Sequence, residues 1–255
     1  MNIFGLAFVV LLISRLVSAE PFTVYDDIGW FRIHPEDRPT WIQSVRPLTE
    51  GALLTSDKQI DPVRIRNSAK LAATTSQITM LDIEAWAINP EGVAKYAEVI
   101  DIFRDEESGV RIGYYGIPPR DWWRALSSDP LKRQAWYDEC KLALVVTNKA
   151  DFVAPSLYTF YSSVDSNDIG GDWRKRWVAF AKANLLRASY CRKPVYAYLC
   201  PRYQLSGEEI ERDFWRLQLE TCRAQKASAV IIWTPYDMNP IGSEWWLETL
   251  NFFDR

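Results

Sequence analysis

Short runs rich in β-branched and aromatic residues alternate along this chain with longer amphipathic stretches, and that rhythm limits the fold more than any other feature. The short runs fall at 22–25, 78–84, 110–115, 152–158, 195–199 and 229–233. The stretches at 62–74, 90–106, 129–147, 172–188, 206–225 and 243–253 repeat apolar residues at i, i+3 and i+4, the spacing of a helix with one buried face. Strand, helix and strand in turn require parallel strands joined by crossover helices. One more strand is expected between Trp41 and Asp61, although that segment is brief for a full strand-helix unit. The predicted class is therefore α/β, as a distorted, TIM-like (β/α) barrel of about seven strands. An open doubly wound sheet would more often carry a Gly-rich turn after its first strand, and no GxGxxG or P-loop is present. Asn89-Pro90-Glu91 supplies an N-cap, a proline at the first helical position and an acid in the first turn, and Ser206-Gly207-Glu208-Glu209 resembles a capping box.

Residues 1–19 differ in kind from the rest. An unbroken apolar run at 3–13 and the small-residue pattern Val17-Ser18-Ala19 before Glu20 read as a signal peptide, leaving 20–255 as a single catalytic domain. The run is shorter than the ~18–20 apolar residues that a bilayer requires, so the expectation is a secreted, periplasmic or extracellular protein with no stable membrane insertion after cleavage. Export would permit disulfides among Cys140, Cys191, Cys200 and Cys222, with a Cys191–Cys222 bridge conceivable. No CxxC pair exists for zinc or thiol redox chemistry. The formal charge of −3 with scattered basic residues argues against nucleic acid as a partner. Arg174-Lys175-Arg176 reads as a solvated helix face.

The stretch Asp82-Ile83-Glu84 places two carboxylates at the C-terminal end of an apolar strand. Alternation turns both toward one face while Leu81 and Ile83 take the other. Charges about 6 Å apart at an effective dielectric of ~20 repel by roughly 3 kcal/mol, some two pKa units, enough to keep one acid protonated near pH 5 to 6. Asn89 already caps the following helix, so neither acid has an evident structural task. In (β/α) barrels the active site is built from the C-terminal ends of several strands. Here those ends carry Tyr25-Asp26-Asp27, Tyr114-Tyr115, Ser156-Leu157-Tyr158, Cys200-Pro201-Arg202-Tyr203 and Trp233-Thr234-Pro235-Tyr236-Asp237. With 12 Trp and 12 Tyr, the chain has ample flat apolar surface for the C–H faces of sugar rings. Tyr25, Tyr114, Tyr203 and Asp237 thus join the candidate glycan-binding residues.

Six of these segments together resemble the hyaluronidase family of glycoside hydrolases. They are Pro21-Phe22-Thr23-Val24-Tyr25, Asp82-Ile83-Glu84-Ala85-Trp86, Gly113-Tyr114-Tyr115-Gly116-Ile117-Pro118, Pro155-Ser156-Leu157-Tyr158, Pro194-Val195-Tyr196-Ala197-Tyr198 with Pro201, and Val230-Ile231-Ile232-Trp233. The resemblance implies retaining hydrolysis assisted by the substrate's own 2-acetamido group. Glu84 would be the general acid/base and Asp82 the acetamido orienter. Tyr115 and Tyr158 would hydrogen-bond around the reacting sugar, and Trp233 would wall the N-acetyl group. The expected partner is a polysaccharide or glycan containing an N-acetylhexosamine, with no cofactor and no metal.

Other readings compete with this one. Ordinary retaining glycosidases use a carboxylate nucleophile opposite the acid, for which Asp237 is the rival candidate. His34, the single histidine, lies in a turn-rich loop without a nucleophile elbow, which disfavours a Ser-His-Asp triad. A metal would have to use Asp26, Asp27, Asp82, Glu84 or Asp237 without imidazole. Arg120, Arg124 and Arg202 follow strand ends and read as surface residues. A non-catalytic extracellular glycan-binding barrel or scaffold of the same shape is the alternative from another class.

Overall fold

The computed structural model describes residues 21–28, 39–118, 122–160 and 172–254. The expected signal segment 1–19, His34 and Arg120 lie outside the described residues. The chain runs β1 (Thr23–Asp27), β2 (Gln43–Ser44), β3 (Arg46–Thr49), α1 (Glu50–Leu53), α2 (Pro62–Thr75), β4 (Ile78–Asp82), α3 (Pro90–Glu106) and β5 (Arg111–Tyr114). A 3-10 helix, Trp122–Leu126, then leads into α4 (Pro130–Leu142), α5 (Leu144–Lys149), α6 (Trp173–Ser189), β6 (Tyr196–Leu199), α7 (Arg212–Ala224), β7 (Ala229–Trp233) and α8 (Glu244–Phe253).

The strands form two parallel sheets, ordered β2-β1-β7-β6 and β3-β4-β5. Only Val45 separates β2 from β3, and its N–H donates to the Asp26 carbonyl at 2.9 Å. On the far side, residues 153–156 bridge the two sheets through parallel pairs of Ala154 with Tyr115, Val153 with Val195 and Ser156 with Tyr198. Among the described residues seven extended stretches therefore follow one another around a barrel-like ring, and the strand expected between Trp41 and Asp61 is the interrupted pair β2 and β3. The helix that follows it, α1, has only 4 residues.

Side-chain alternation divides the strands into an inner and an outer set. Val24, Ala197, Leu199, Val230 and Ile232 pack outward against α6, α7 and α8, and Leu81, Ile83, Ile112 and Tyr114 pack outward against α2, α3 and α5. Tyr25, Met80, Phe152, Tyr196, Tyr198 and Ile231 fill the interior. The Tyr196 ring stacks on Phe152 at 4.6 Å and on Tyr25 at 5.3 Å, plugging the lower barrel. Gly113 makes this plug possible, since a Cβ there would stand 2.5 Å from the Phe152 ring.

Asn89 caps α3 as expected, accepting from the Gly92 N–H at 2.8 Å. Two helix expectations need correction. The stretch 129–147 breaks at Ala143 into α4 and α5. The helix expected from Ser206 begins at Arg212 instead. Gly207 adopts φ +76° and its N–H donates to the Tyr203 carbonyl at 2.9 Å, so 202–210 folds back as a loop with an Arg202–Glu209 antiparallel bridge. A left-handed glycine at this point turns the chain rather than opening a helix.

Candidate active site

The inner faces of β1, β3, β4, β6 and β7 continue upward into a cleft of about 370 Å³, within the ~300–1,000 Å³ range of small-ligand sites. β4 contributes Met80 and Asp82, and the chain just beyond it contributes Glu84. Asp82 is half-buried while Glu84 stands exposed at the mouth. Leu81 and Ile83 are fully buried on the opposite face, as alternation requires. The two acids thus share one cleft.

Three aromatic side chains from other strands close the wall. Tyr158 stacks on Trp233 with centroids 5.5 Å apart and planes 19° from parallel. Tyr115 packs against Tyr158 at 5.8 Å and meets the edge of Tyr198 at 5.1 Å, and its hydroxyl lies 3.0 Å from Ser156 Oγ. Burial, chiefly, raises the Tyr115 phenol above its ordinary pKa, and the nearby Glu84 and Asp82 charges add to the rise against the hydrogen bonds of Ser156 and Tyr158. Burial likewise pushes Tyr158 and Tyr198 well up. All three phenols therefore keep their protons and act as neutral hydrogen-bonding groups.

The sequence points to Asp27 only as a strand-end acid and gives Tyr198 no role, yet both belong to this site. Asp27 is the last residue of β1 and lines the cleft beside Asp82, with the Tyr198 hydroxyl donating to its Oδ2 at 2.8 Å. Desolvation pushes the Asp27 carboxyl up to about 8; the Tyr198 hydrogen bond opposes that rise, and the charges of Asp82 and Asp26 reinforce it. A third carboxyl in the cleft is thus held neutral at pH 7. The sequence carries part of that signal, because Asp27 falls two residues after Tyr25 and so shares its strand face. Tyr236, 76% exposed, adds an aromatic ring at the rim.

Four expected contributors lie elsewhere. Tyr114 is 1% exposed on the outer face of β5, where its hydroxyl donates to the Tyr96 carbonyl at 2.9 Å. It cannot share a face with Tyr115, its neighbour in sequence. Tyr25 points inward but one layer too deep, in the stack with Tyr196. Tyr203 is buried against Trp173 and donates to Glu211. Asp237 is exposed and held by both terminal nitrogens of Arg202, at 2.9 and 3.0 Å, outside the residues lining the cleft. Arg124 likewise pairs with Glu139.

Among the described residues no group of three His, Cys, Asp or Glu side chains is placed to hold a metal ion. All four cysteines are free thiols. No helix among the described residues is long and apolar enough to cross a membrane.

No family model matches the chain, and no curated protein matches it. Solved structures do. Bee venom hyaluronidase superposes with a TM-score of 0.66 at 12% identity, over 91% of this chain and 96% of that one. Its complex with a hyaluronic acid tetramer gives 0.64 at 12% identity, over 91% and 95%. A protein from Anabaena variabilis described as a sugar phosphate isomerase or epimerase gives 0.50 at 12% identity, over 82% and 79%. The chain therefore has the α/β fold of TIM-like barrels, in a version similar to bee venom hyaluronidase over 91% of the chain.

Proposed function

We propose that this chain is an exported glycoside hydrolase that cleaves an N-acetylhexosamine-containing glycan with retention, assisted by the substrate's acetamido group. The observation that carries the proposal is the convergence of Asp82 and Glu84 with Tyr115, Tyr158 and Trp233, from four separate stretches, in one cleft. In this reading Glu84 donates its proton to the glycosidic oxygen as the C1–O bond breaks, and the acetamido carbonyl oxygen forms the new bond to C1. Asp82 holds the acetamido N–H and bears the negative charge opposite the positive charge that develops on the cyclised group. Water, deprotonated by Glu84, then opens that intermediate and restores the acid. The parallel faces of Tyr158 and Trp233 offer a flat apolar wall for the N-acetyl methyl group.

Replacing Glu84 with Gln tests the assignment. Loss of a general acid costs about 10²–10⁴-fold in turnover, so Glu84→Gln should fall by at least ~10²-fold while unfolding at the wild-type temperature and still binding glycan. Unchanged turnover would remove Glu84 from the mechanism. The exposure of Glu84 at the mouth favours one other reading, a barrel that binds glycan without cutting it. Oligosaccharide binding by the wild-type protein with no release of reducing ends would select it.

A further inference from the structure

β4 ends at Asp82, two residues before Glu84. The last ladder pairs on β4 are Thr49 with Asp82 and Leu81 with Tyr114, and the next residues make a contact of a different kind. The Glu84 N–H donates to Oε1 of Glu50 at 2.9 Å, and the Ala85 N–H also bonds to that carboxylate. Glu50 pairs in turn with the Lys58 ammonium. Lys58 occupies the tip of a short turn between the bridged residues Leu54 and Ile60 with φ +61°, a left-handed conformation that disfavours a non-glycine residue. From that tip its carbonyl accepts the Trp86 indole N–H at 3.1 Å. Opposite, the Tyr96 hydroxyl of α3 donates to the Trp86 carbonyl at 2.8 Å and lies 3.3 Å from that of Ile83. The circuit from Glu50 through Lys58 and Trp86 back to Glu84 is closed.

We infer that Glu50 is a positioning residue, whose carboxylate locks the backbone of Glu84 and Ala85 so that the Glu84 side chain is presented beside Asp82. The inference rests on the proposed hydrolase reading and extends it to a residue that touches no substrate. The abrupt join of β3 to a four-residue helix is what delivers Glu50, because the residue before it, Thr49, is paired with Asp82. Burial pushes the Glu50 carboxyl up, but Lys58 and the two backbone N–H groups outweigh it and hold the carboxyl below its ordinary pKa. Glu50 therefore stays ionised and makes charge-assisted bonds, which are about twice as strong as neutral ones.

The test compares full-length wild type with Glu50→Gln, Glu50→Ala, Lys58→Met and Glu84→Gln on hyaluronan and chitin oligosaccharides. Supporting contacts of this kind are worth about 10–100-fold, so the Glu50 variants and, more weakly, Lys58→Met should lose kcat on that scale with KM within ~3-fold of wild type. Amide exchange at Glu84 and Ala85 should quicken by ~10-fold or more while β4 stays protected. A merely structural role would lower the unfolding temperature but leave kcat per folded molecule and local exchange unchanged, and that result overturns the inference. If wild type and Glu84→Gln behave as proposed while the Glu50 variants keep full kcat, only this inference fails. A wild-type protein that cleaves neither substrate overturns the hydrolase reading and, with it, the catalytic purpose of Glu50.

Discussion

Replacing Asp27 with Asn isolates a carboxyl in the cleft that burial holds neutral. The Asp27 carboxyl titrates near 8 in the folded protein, against 3.8 when solvated, because burial beside Asp82 and Asp26 disfavours its charged form. Between those two values the native state keeps a proton that the unfolded chain releases, so the native state binds more protons and stability falls as pH rises. Below pH 3.8 both states are protonated at this site, and above about 8 both are ionised, so the slope is confined to that window. One proton corresponds to ~1.4 kcal/mol per pH unit, which makes ~2.7 kcal/mol between pH 5 and pH 7. An asparagine keeps the shape and the Tyr198 hydrogen bond but carries no such slope. Urea unfolding of wild type and Asp27→Asn across pH 5 to 7, at fixed ionic strength, should therefore show the variant gaining ~2.7 kcal/mol on wild type. Every other titrating group is shared by the two proteins and cancels to first order. A difference constant to within ~0.5 kcal/mol would mean that Asp27 ionises normally, and the picture of a neutral acid beside Asp82 would be wrong.

Two further substitutions test where the remaining candidates stand. Tyr114→Phe should leave turnover within ~2-fold of wild type and lower stability by about 1 kcal/mol, since it removes a buried hydrogen bond to the Tyr96 carbonyl on the helix side; a larger loss of turnover without loss of stability would return Tyr114 to the site. Asp237→Asn should retain activity and change unfolding free energy by less than ~1 kcal/mol, because the Arg202 pair is a solvent-exposed one. Loss of turnover by ~10³-fold or more would instead make Asp237 the nucleophile of a two-carboxylate mechanism and displace the acetamido-assisted reading.

The strand-helix rhythm was enough to name the class, because hydrophobic period reports directly which faces are buried. Period-two alternation with Leu81 and Ile83 also anticipates that Asp82 and Glu84 turn to one side, and both line the same cleft. The same rule, applied to β5, separates Tyr114 from Tyr115: Gly113 is the single residue there that admits the Phe152 ring, so Gly113 and Tyr115 face inward and Tyr114 must face out. Alternation alone does not give depth along the barrel axis. Tyr25 and Asp27 lie on the same face of β1, yet only Asp27 reaches the cleft, because the register of β1 against β7 sets Tyr25 opposite Ile231 and Asp27 opposite Trp233. Register is a property of the assembled sheet, and nothing within β1 encodes it.

Beyond the strand ends the sequence becomes a weaker guide for a different reason. Tyr203 and Asp237 follow β6 and β7 much as Glu84 follows β4, but the left-handed turn at Gly207 folds 202–210 back on itself and draws Tyr203 into the core against Trp173. Asp237 is taken up by Arg202 from that same loop. A loop residue's direction depends on which polar partner the folded chain brings within reach, and those partners are distant in sequence. Glu50 is the sharper case, since it meets Glu84 across 34 residues and through a backbone N–H that every non-proline residue possesses. No motif can mark such a contact. What supports a function for it is its place at the end of β4: the ionised carboxylate of Glu50 bonds the backbone N–H groups of Glu84 and Ala85 just past the last ladder pair at Asp82, where the proposed catalytic role of Glu84 depends on the direction of the chain.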